Sequence, residues 1–200
     1  LAQRQQRNWR PNILMFRPDD GAPREALRRT AGSLITGNGM LTDIRLRARG
    51  KRPAQSDPLL FDEGPVVGVF TRDVETEDPY ATMERFAAHH GYSGIEPNTA
   101  LIDWDGFAED GERLAGLIDQ LRELDLNTLL FTDATHEPPP GTPPRIDVWW
   151  RAKNNGSFML TMAHLWQEGA VGRAYRLRVR RIISSEAGRD EIEKAMQEMV

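Results

Sequence analysis

Short apolar runs alternate with amphipathic helical patterns along this chain, and this alternation restricts the possible folds more than any other feature of the sequence. The first pair is the clearest. Residues 12–16 form an apolar run bounded by Pro11 and a turn-rich segment, and apolar residues then recur at helical spacing from Pro23 to a stop at Gly37. Because repeated strand–helix units require a mostly parallel sheet with helices on both faces, the sequence predicts an α/β protein.

The same periodicities predict the rest of a first lobe. Further strands are predicted at residues 40–46, 66–71, 98–104 and 127–132. Helices are predicted from Asp78-Pro79 to Gly91 and along the apolar stripe from Leu114 to Leu124. The strand at 66–71 is apolar on both faces, which is typical of a fully buried strand, whereas residues 47–64 are predicted to form a mobile surface loop.

A proline-rich segment interrupts this pattern. Five prolines among residues 136–144 exclude a helix or a central strand and predict a stiff, extended connector. Beyond it, strands are predicted at 145–150 and 175–183, and helices through Phe158–Trp166 and Ile192–Met199. This region is too small to close a core comfortably. We therefore predict a first lobe over residues 11–135 and a smaller, partial or shortened second lobe over 145–200.

Composition argues against several classes of function. The chain contains no cysteine, which excludes disulfides, thiolate zinc sites and a catalytic thiol. A net charge of −4 argues against extensive nucleic-acid binding. No apolar run approaches the roughly 20 residues of a membrane-spanning helix, and the first residues lack the pattern of a signal peptide.

The four histidines do not form a metal motif. His89, His90, His136 and His164 lack the spacing of helix-borne ligand pairs. His89 and His90 precede Gly91 at a predicted helix end, where the helix dipole favours a partial positive charge.

Three acidic residues cluster at the ends of predicted strands, namely Asp103, Asp105 and Asp133. Ligands of open α/β sheets bind at the carboxyl ends of strands, so these residues are candidates for a metal or general acid–base group. Aspartates in such positions also cap helices and form turns. We favour the second interpretation, because the sequence places no histidine or serine companion beside them.

Two glycine-containing segments are candidates for phosphate binding. Residues 37–39, Gly-Asn-Gly, lack the full dinucleotide pattern and follow a predicted helix, which is the wrong end for an anion. Residues 154–157, Asn-Asn-Gly-Ser, precede a helix, but such a sequence is more often an ordinary helix cap.

The predicted strand near residue 178 is basic on one side. Arg176, Arg178 and Arg180 alternate with apolar residues, which places the arginines on one face of a strand. Nucleic acid and anionic lipid are conceivable ligands, and a solvated or acid-paired face is the favoured alternative. The adjacent Trp149 and Trp150 must point to opposite sides of their strand, so one is expected in the core and the other under a helix or at an interface.

Three segments, in order, resemble the cytosolic C-terminal domain of the cation–chloride cotransporters, the family of sodium–potassium–chloride and potassium–chloride symporters. RNWRPNILMF at 7–16 is similar to the family's lead-in to its first cytosolic strand. GIEPNTALIDW at 94–104 is similar to the family's Pro/His-Asn-Thr strand, and RIDVWWRAKNNGSFMLTMAHLW at 145–166 is similar to its Ile-Asp-Val-Trp-Trp strand and the following helix.

The resemblance implies a fold like that of universal stress proteins, with two related lobes. It implies a homodimer on the cytoplasmic face of the cell membrane, attached to the transmembrane domain of its own transporter. Residues 1–10 would then be the end of the connector from the membrane domain, and Arg4, Arg7 and Arg10 fit the basic bias of that side. The ion-binding residues of the family lie in its membrane part, so none is assigned here. The candidate interface residues are Trp9, Trp149, Trp150 and Trp166.

The chain departs from the family pattern at two places. Asn154-Asn155-Gly156 stands where the family commonly has Asp-Gly-Gly, and Asp103 stands where it usually has glycine. The resulting expectation is a non-enzymatic regulatory and dimerisation domain of a symporter. The alternative is a nucleotide sensor, since the universal-stress-protein fold can hold ATP near the ends of its first and fourth strands. The acidic segment at 104–112 counts against that alternative, because it would repel phosphate.

Overall fold

The structure is a computed structural model of the 200-residue chain. It describes residues 9–22, 24–36, 38–52, 60–61, 64–65, 68–91, 96–133, 141, 143–150, 155–169, 172–183, 188–190 and 193–194. The chain divides into two compact units, Leu1–Thr135 and His136–Val200.

Unit 1 contains a five-stranded, all-parallel sheet. Its strands are β1 (Asn12–Pro18), β2 (Met40–Ala48), β5 (Val69–Thr76), β6 (Thr99–Asp103) and β7 (Asn127–Phe131), and the short strands β3 (Leu60–Phe61) and β4 (Gly64–Pro65) form a separate antiparallel pair. Its helices are α1 (Glu25–Leu34), α2 (Pro79–His89), α3 (Trp104–Phe107) and α4 (Gly111–Glu123). The strand order β5-β2-β1-β6-β7 confirms the predicted α/β class and is consistent with a universal-stress-protein-like fold.

Strand β1 lies at the centre of this sheet and is apolar on both faces. Leu14 and Phe16 are fully buried on the face that α2 and α4 cover, together with Met83 of α2 and Leu117 of α4. Burying an aromatic residue such as Phe16 contributes about 1.5–3 kcal/mol, so this face supplies much of the stability of unit 1.

The opposite face of the sheet carries α1. Its buried residues alternate with those of the first face, as a strand period of two requires, and include Ile13, Met15, Leu41 and Leu101. Helix α1 contributes Leu27 and Ala31, which share one side of the helix at a spacing of four. The predicted sandwich of helices on both faces of a parallel sheet is therefore confirmed.

The prediction of a fully buried strand at 66–71 is wrong. Strand β5 runs from Val69 to Thr76, lies at the edge of the sheet, and exposes 53 % of Phe70. An edge strand has a neighbour on one side only, and here it is further marked by charged residues at 72, 73 and 75. Residues 66–67, which suggested burial, lie outside the described residues.

Several predicted boundaries also differ. Strand β2 continues to Ala48, and the β3–β4 pair begins within the predicted loop at 47–64 and ends at Pro65. Strand β6 ends at Asp103, because Trp104 begins α3. The stripe that ended at Leu124 is one residue too long: α4 ends at Glu123, and 44 % of Leu124 is exposed.

Unit 2 repeats the strand–helix–strand order on a smaller scale. Strands β8 (Arg145–Trp149) and β9 (Arg176–Arg180) are parallel and are joined through α5 (Gly156–Glu168) and a 3₁₀ turn (Gly172–Ala174). Val148 of β8 and Met162 of α5 are its most buried large apolar residues. Both strands are shorter than predicted. Most of the predicted connector and of the last helix lies outside the described residues, although residues 189–190 and 193–194 are helical.

Among the helices that the structure describes, none is both long enough and apolar enough to cross a bilayer.

Candidate functional site

The sheet order reverses between β1 and β6, since β1 pairs with β2 on one side and with β6 on the other. In open α/β sheets the carboxyl ends of the strands beside such a reversal form the crevice where ligands bind. The end of β1 at Pro18 and the end of β6 at Asp103 define this candidate site.

An arginine from the start of α1 lies across the crevice. Arg24 forms ion pairs with Asp103, which is 3 % exposed, and with Asp20 at 2.7 Å. Burial opposes the charged form of Arg24, but the hydrogen bonds to Asp20 and then Asp103 outweigh it, and the pKa of Arg24 is raised. The positive charge is thus shared between two carboxylates, which leaves little attraction for a phosphate group.

Helix α3 packs directly against the end of β1. A Cβ atom at Gly106 would lie 2.6 Å from Cδ of Pro18 and 2.9 Å from Oδ2 of Asp103. Only a glycine fits at that distance. The crevice is therefore occupied by α3 and by the Arg24–Asp103 pair rather than left open for a ligand.

The other two predicted acids lie at the neighbouring strand end. Asp105 of α3 accepts hydrogen bonds from Oγ1 of Thr132 and from the backbone N–H of Asp133, both at 2.9 Å. These bonds tie α3 to the end of β7, which is the turn-forming role open to strand-end aspartates. In the part of the chain that the structure describes, no group of three or more His, Cys, Asp or Glu side chains could hold a metal ion.

In the residues that the structure describes, neither candidate phosphate segment forms a phosphate cradle. Asn38 and Gly39 follow α1, and a Cβ at Gly39 would lie 2.8 Å from Cα of Ile35, so this glycine allows the chain to turn tightly behind the helix. At the start of α5, Gly156 is covered by the ring of Trp150, whose nearest atoms lie 2.5 Å from an ideal Cβ position. The backbone that would face a phosphate is thus packed against an aromatic ring.

A separate open depression of about 760 Å³ lies beside the start of α2. Arg49, Arg85 and the acidic residues of the segment 75–78 line it. Charges of both signs line the depression. The carboxylate of Asp78 is already engaged there, because it caps α2 by accepting a hydrogen bond from the N–H of Ala81.

The prediction that a positive charge is favoured at His90 is wrong. His90 follows the last residue of α2, and its Nε2 lies 3.3 Å from Oγ1 of Thr42. Burial, followed by the nearby positive charge of Arg72, lowers the pKa of His90 below its usual value. Contacts from neighbouring strands therefore outweigh the helix dipole.

We expect His90 to make unit 1 less stable in mild acid. Because its folded-state pKa lies below the unfolded value of about 6.5, its contribution is present above that pH and is lost as the pH falls through the folded pKa. Wild type should therefore lose stability more steeply than His90→Gln between about pH 7 and pH 5. Urea unfolding at several pH values measures this difference, and parallel curves for the two proteins would contradict it.

A ladder of ion pairs on the α1 face was not predicted. Arg17 of β1 binds Asp43 of β2 through two hydrogen bonds of 2.9 Å, and Arg45 binds Asp73 of β5 at 2.6 Å. Arg47 lies 3.3 Å from Asp19. The alternation of charged residues along β2 is visible in the sequence and could have indicated these ion pairs. Their partners could not be named, because they lie on other strands, far away along the chain.

The four candidate interface tryptophans differ in their surroundings. Trp150 packs on Gly156, and Trp166 lies edge-on to Tyr175 at 4.8 Å between ring centroids. Trp9 is partly buried at the start of unit 1, whereas Trp149 is 50 % exposed. Trp149 is thus the only one of the four that presents half of its surface to solvent.

At the opposite, amino edge of the sheet, Asn98 joins the starts of three strands. Its side chain accepts from the N–H of Asn12 at 3.1 Å and donates to the carbonyl of Arg10 at 2.7 Å. Its own carbonyl accepts from the backbone and side chain of Asn127. One asparagine therefore satisfies the backbone where the chain enters β1 and ties that point to β6 and β7.

Together, these features define an α/β unit with a parallel sheet whose usual ligand crevice is filled by its own residues, followed by a smaller unit with the same strand–helix–strand order. Comparison with known proteins finds no matching family model and no matching curated sequence.

Proposed function

We propose that this chain is the regulatory and dimerisation domain of a cation–chloride symporter, located at the cytoplasmic face of the cell membrane. In this role it performs no catalysis. It acts as a homodimer and couples to the transmembrane domain of its own transporter, which carries sodium or potassium together with chloride.

The hydrogen bonds of Asn98 are the observation that best supports the proposal. Asn98 belongs to the second segment that resembles the symporter family, and its partners Arg10 and Asn12 belong to the first. The two segments are separated by some 80 residues, yet they meet at one edge of the sheet. Their likeness to the family therefore concerns one physical unit rather than two unrelated short matches.

This edge also suggests how a signal could pass. Residues 1–10 correspond to the expected connector from the membrane, and Arg10 is held directly by Asn98. A shift of the connector would act on β1 and β6 together, because both strands begin at the hydrogen bonds of Asn98. Regulation would then be a population shift between two arrangements of the connector, biased by whatever binds or modifies the domain.

The gene sequence upstream of the codon for Leu1 gives the most direct test. The family resemblance implies a transporter with twelve membrane helices, so the proposal expects an open reading frame with twelve hydrophobic segments that ends just before this point. Expression of that full protein should give chloride-dependent uptake of rubidium, a tracer for potassium, or of sodium. A start codon at Leu1 would contradict the proposal, and so would a full-length protein without such uptake.

Sedimentation of the 200-residue chain tests the dimer separately. The proposal expects a concentration-dependent dimer. A strict monomer at the highest soluble concentration would count against dimerisation by this chain alone.

Nucleotide titration distinguishes the proposal from an ATP sensor. Calorimetry and thermal shift with ATP, ADP and AMP at millimolar concentration should give no signal, because Asp20 and Asp103 already neutralise Arg24 at the crevice. Saturable binding would favour the sensor and would require the crevice to open.

A further inference from the structure

Unit 2 presents one exposed sheet face that is rich in arginine. Residues Arg145, Asp147 and Trp149 alternate along β8 and stand opposite Arg176, Arg178 and Arg180 of β9 in the parallel register. Side chains two residues apart on a strand lie on the same face, so these six residues form one surface, here called the arginine face. It extends for about 13 Å along the strands. The intervening apolar residues, among them the buried Val148, face the side that α5 covers.

The arginine face carries an excess of positive charge. Asp147 accepts from Arg178 at 2.8 and 2.9 Å and lies 3.3 Å from Arg180, and the pKa of Asp147 is lowered, chiefly by the hydrogen bond from Arg178. Asp147 thus forms ion pairs with two of the four arginines, and the charge of Arg145 also lowers its pKa. Among the described residues, neither Arg145 nor Arg176 has an ion-pair partner, and both are exposed. The favoured prediction of a solvated or acid-paired face is therefore met, since Arg178 and Arg180 pair with Asp147 and Arg176 is exposed to solvent.

The surroundings of Trp149 indicate which class of ligand the arginine face would bind. The Trp149 side chain is half exposed, and the guanidinium of Arg180 lies over its ring at 4.8 Å from the centroid. Proteins that bind single-stranded nucleic acid stack bases on free aromatic faces, whereas one face of this ring is already covered by an arginine. Tryptophan beside basic residues is typical of membrane–water interfaces, where the ring lies among headgroups and arginines meet lipid phosphates.

We propose that the arginine face binds the surface of an anionic phospholipid bilayer. The excess charge attracts the headgroups, and the exposed part of Trp149 enters the interfacial layer. This goes beyond the proposed regulatory function, because it concerns a lipid contact made by this chain itself, and it holds whether or not a transporter domain precedes Leu1.

Co-sedimentation of the 200-residue chain with vesicles tests the proposal. Vesicles of phosphatidylcholine with about 30 % phosphatidylserine should retain the chain, and phosphatidylcholine alone should not. Raising the salt concentration from about 0.1 M to 0.5 M should release it, because exposed charges are then screened. The double variant Arg145→Gln/Arg176→Gln should bind about 25-fold more weakly, from about five-fold for each arginine.

A matched control variant distinguishes binding through the arginine face from an effect of the total charge of the chain. Arg49→Gln/Arg122→Gln removes the same two charges from exposed positions in unit 1, whose side chains are 74 % and 76 % exposed. It should bind like wild type. Far-UV circular dichroism of both variants checks that they fold, which we expect because the replaced side chains are exposed.

Three results would overturn the proposal. The first is no retention of wild type by the phosphatidylserine vesicles. The second is equal retention of the two double variants, which would mean that only total charge matters. The third is binding of a single-stranded oligonucleotide that depends on Arg145 and Arg176 when vesicles do not bind, which would assign the arginine face to nucleic acid. None of these results bears on the reading frame upstream of Leu1, so the two proposals fail independently.

Discussion

Replacing Asp43 by alanine should destabilise unit 1 by about 3–5 kcal/mol, the largest effect that we expect from a single substitution in this chain. The carboxylate is fully buried between β1 and β5, and it accepts two hydrogen bonds of 2.9 Å from Arg17, whose side chain is only 10 % exposed. Its removal leaves a guanidinium in the sheet interior without an anion. Hydrogen exchange of the amides of β1 and β2 measures the effect in unit 1 alone.

Two further variants show whether the effect comes from an orphaned charge. Arg17→Met/Asp43→Leu replaces the pair by apolar side chains and should be clearly more stable than Asp43→Ala, since apolar replacement of a buried ion pair is often nearly neutral. Glu77→Ala breaks the exposed pair with Arg49 and should change stability little. Equal losses for Asp43→Ala and Glu77→Ala would show that the buried pair has no special role.

Substitution of Gly106 by alanine should destabilise unit 1 by about 1–3 kcal/mol, although alanine is the better helix former. The added Cβ would lie 2.6 Å from Pro18, so either α3 or the end of β1 must move. The same movement would disturb Asp103, whose Oδ2 lies 2.9 Å from that position, and with it the ion pair to Arg24. Hydrogen exchange in β1 and β6 measures the loss.

Gly116→Ala is a control within the same unit, for which we expect the opposite change in stability. Gly116 lies in the interior of α4, and nothing stands within 4 Å of a Cβ added there. Gly116→Ala should therefore stabilise the unit by about 0.5–1 kcal/mol through the helix propensity of alanine. If both alanine variants stabilise the protein, the tight contact between α3 and β1 is not a constraint in solution.

Both expected effects bear on the proposed function. Arg17, Asp103 and Arg24 lie toward the carboxyl ends of the strands, the edge at which an open α/β sheet normally binds a ligand. Here that edge holds ion-paired side chains and a packed helix instead. The arrangement suits a rigid platform that transmits a displacement from its amino edge.

Individual strands and helices could be predicted because each depends on the spacing of residues within one short segment. The apolar run of β1 and the four-residue spacing of Leu27 and Ala31 in α1 are properties of short segments, and the structure has both elements. The Asp78-Pro79 start of α2 was equally local, since the capping bond joins Asp78 to the N–H of Ala81. A turn acid such as Asp105 could be suspected for the same reason, but its partners on β7 could not be named.

The tertiary structure alone decided the features that depend on strands far apart in the chain. The sequence determined a parallel α/β architecture, because the alternation of apolar periods is written in contiguous residues. It did not determine that β5 lies at the edge, that Arg17 finds Asp43, or that Thr42 and Arg72 surround His90. Strand order and ion pairing are settled by which distant segments become neighbours, and the pKa of His90 follows from that arrangement rather than from its place at the end of a helix.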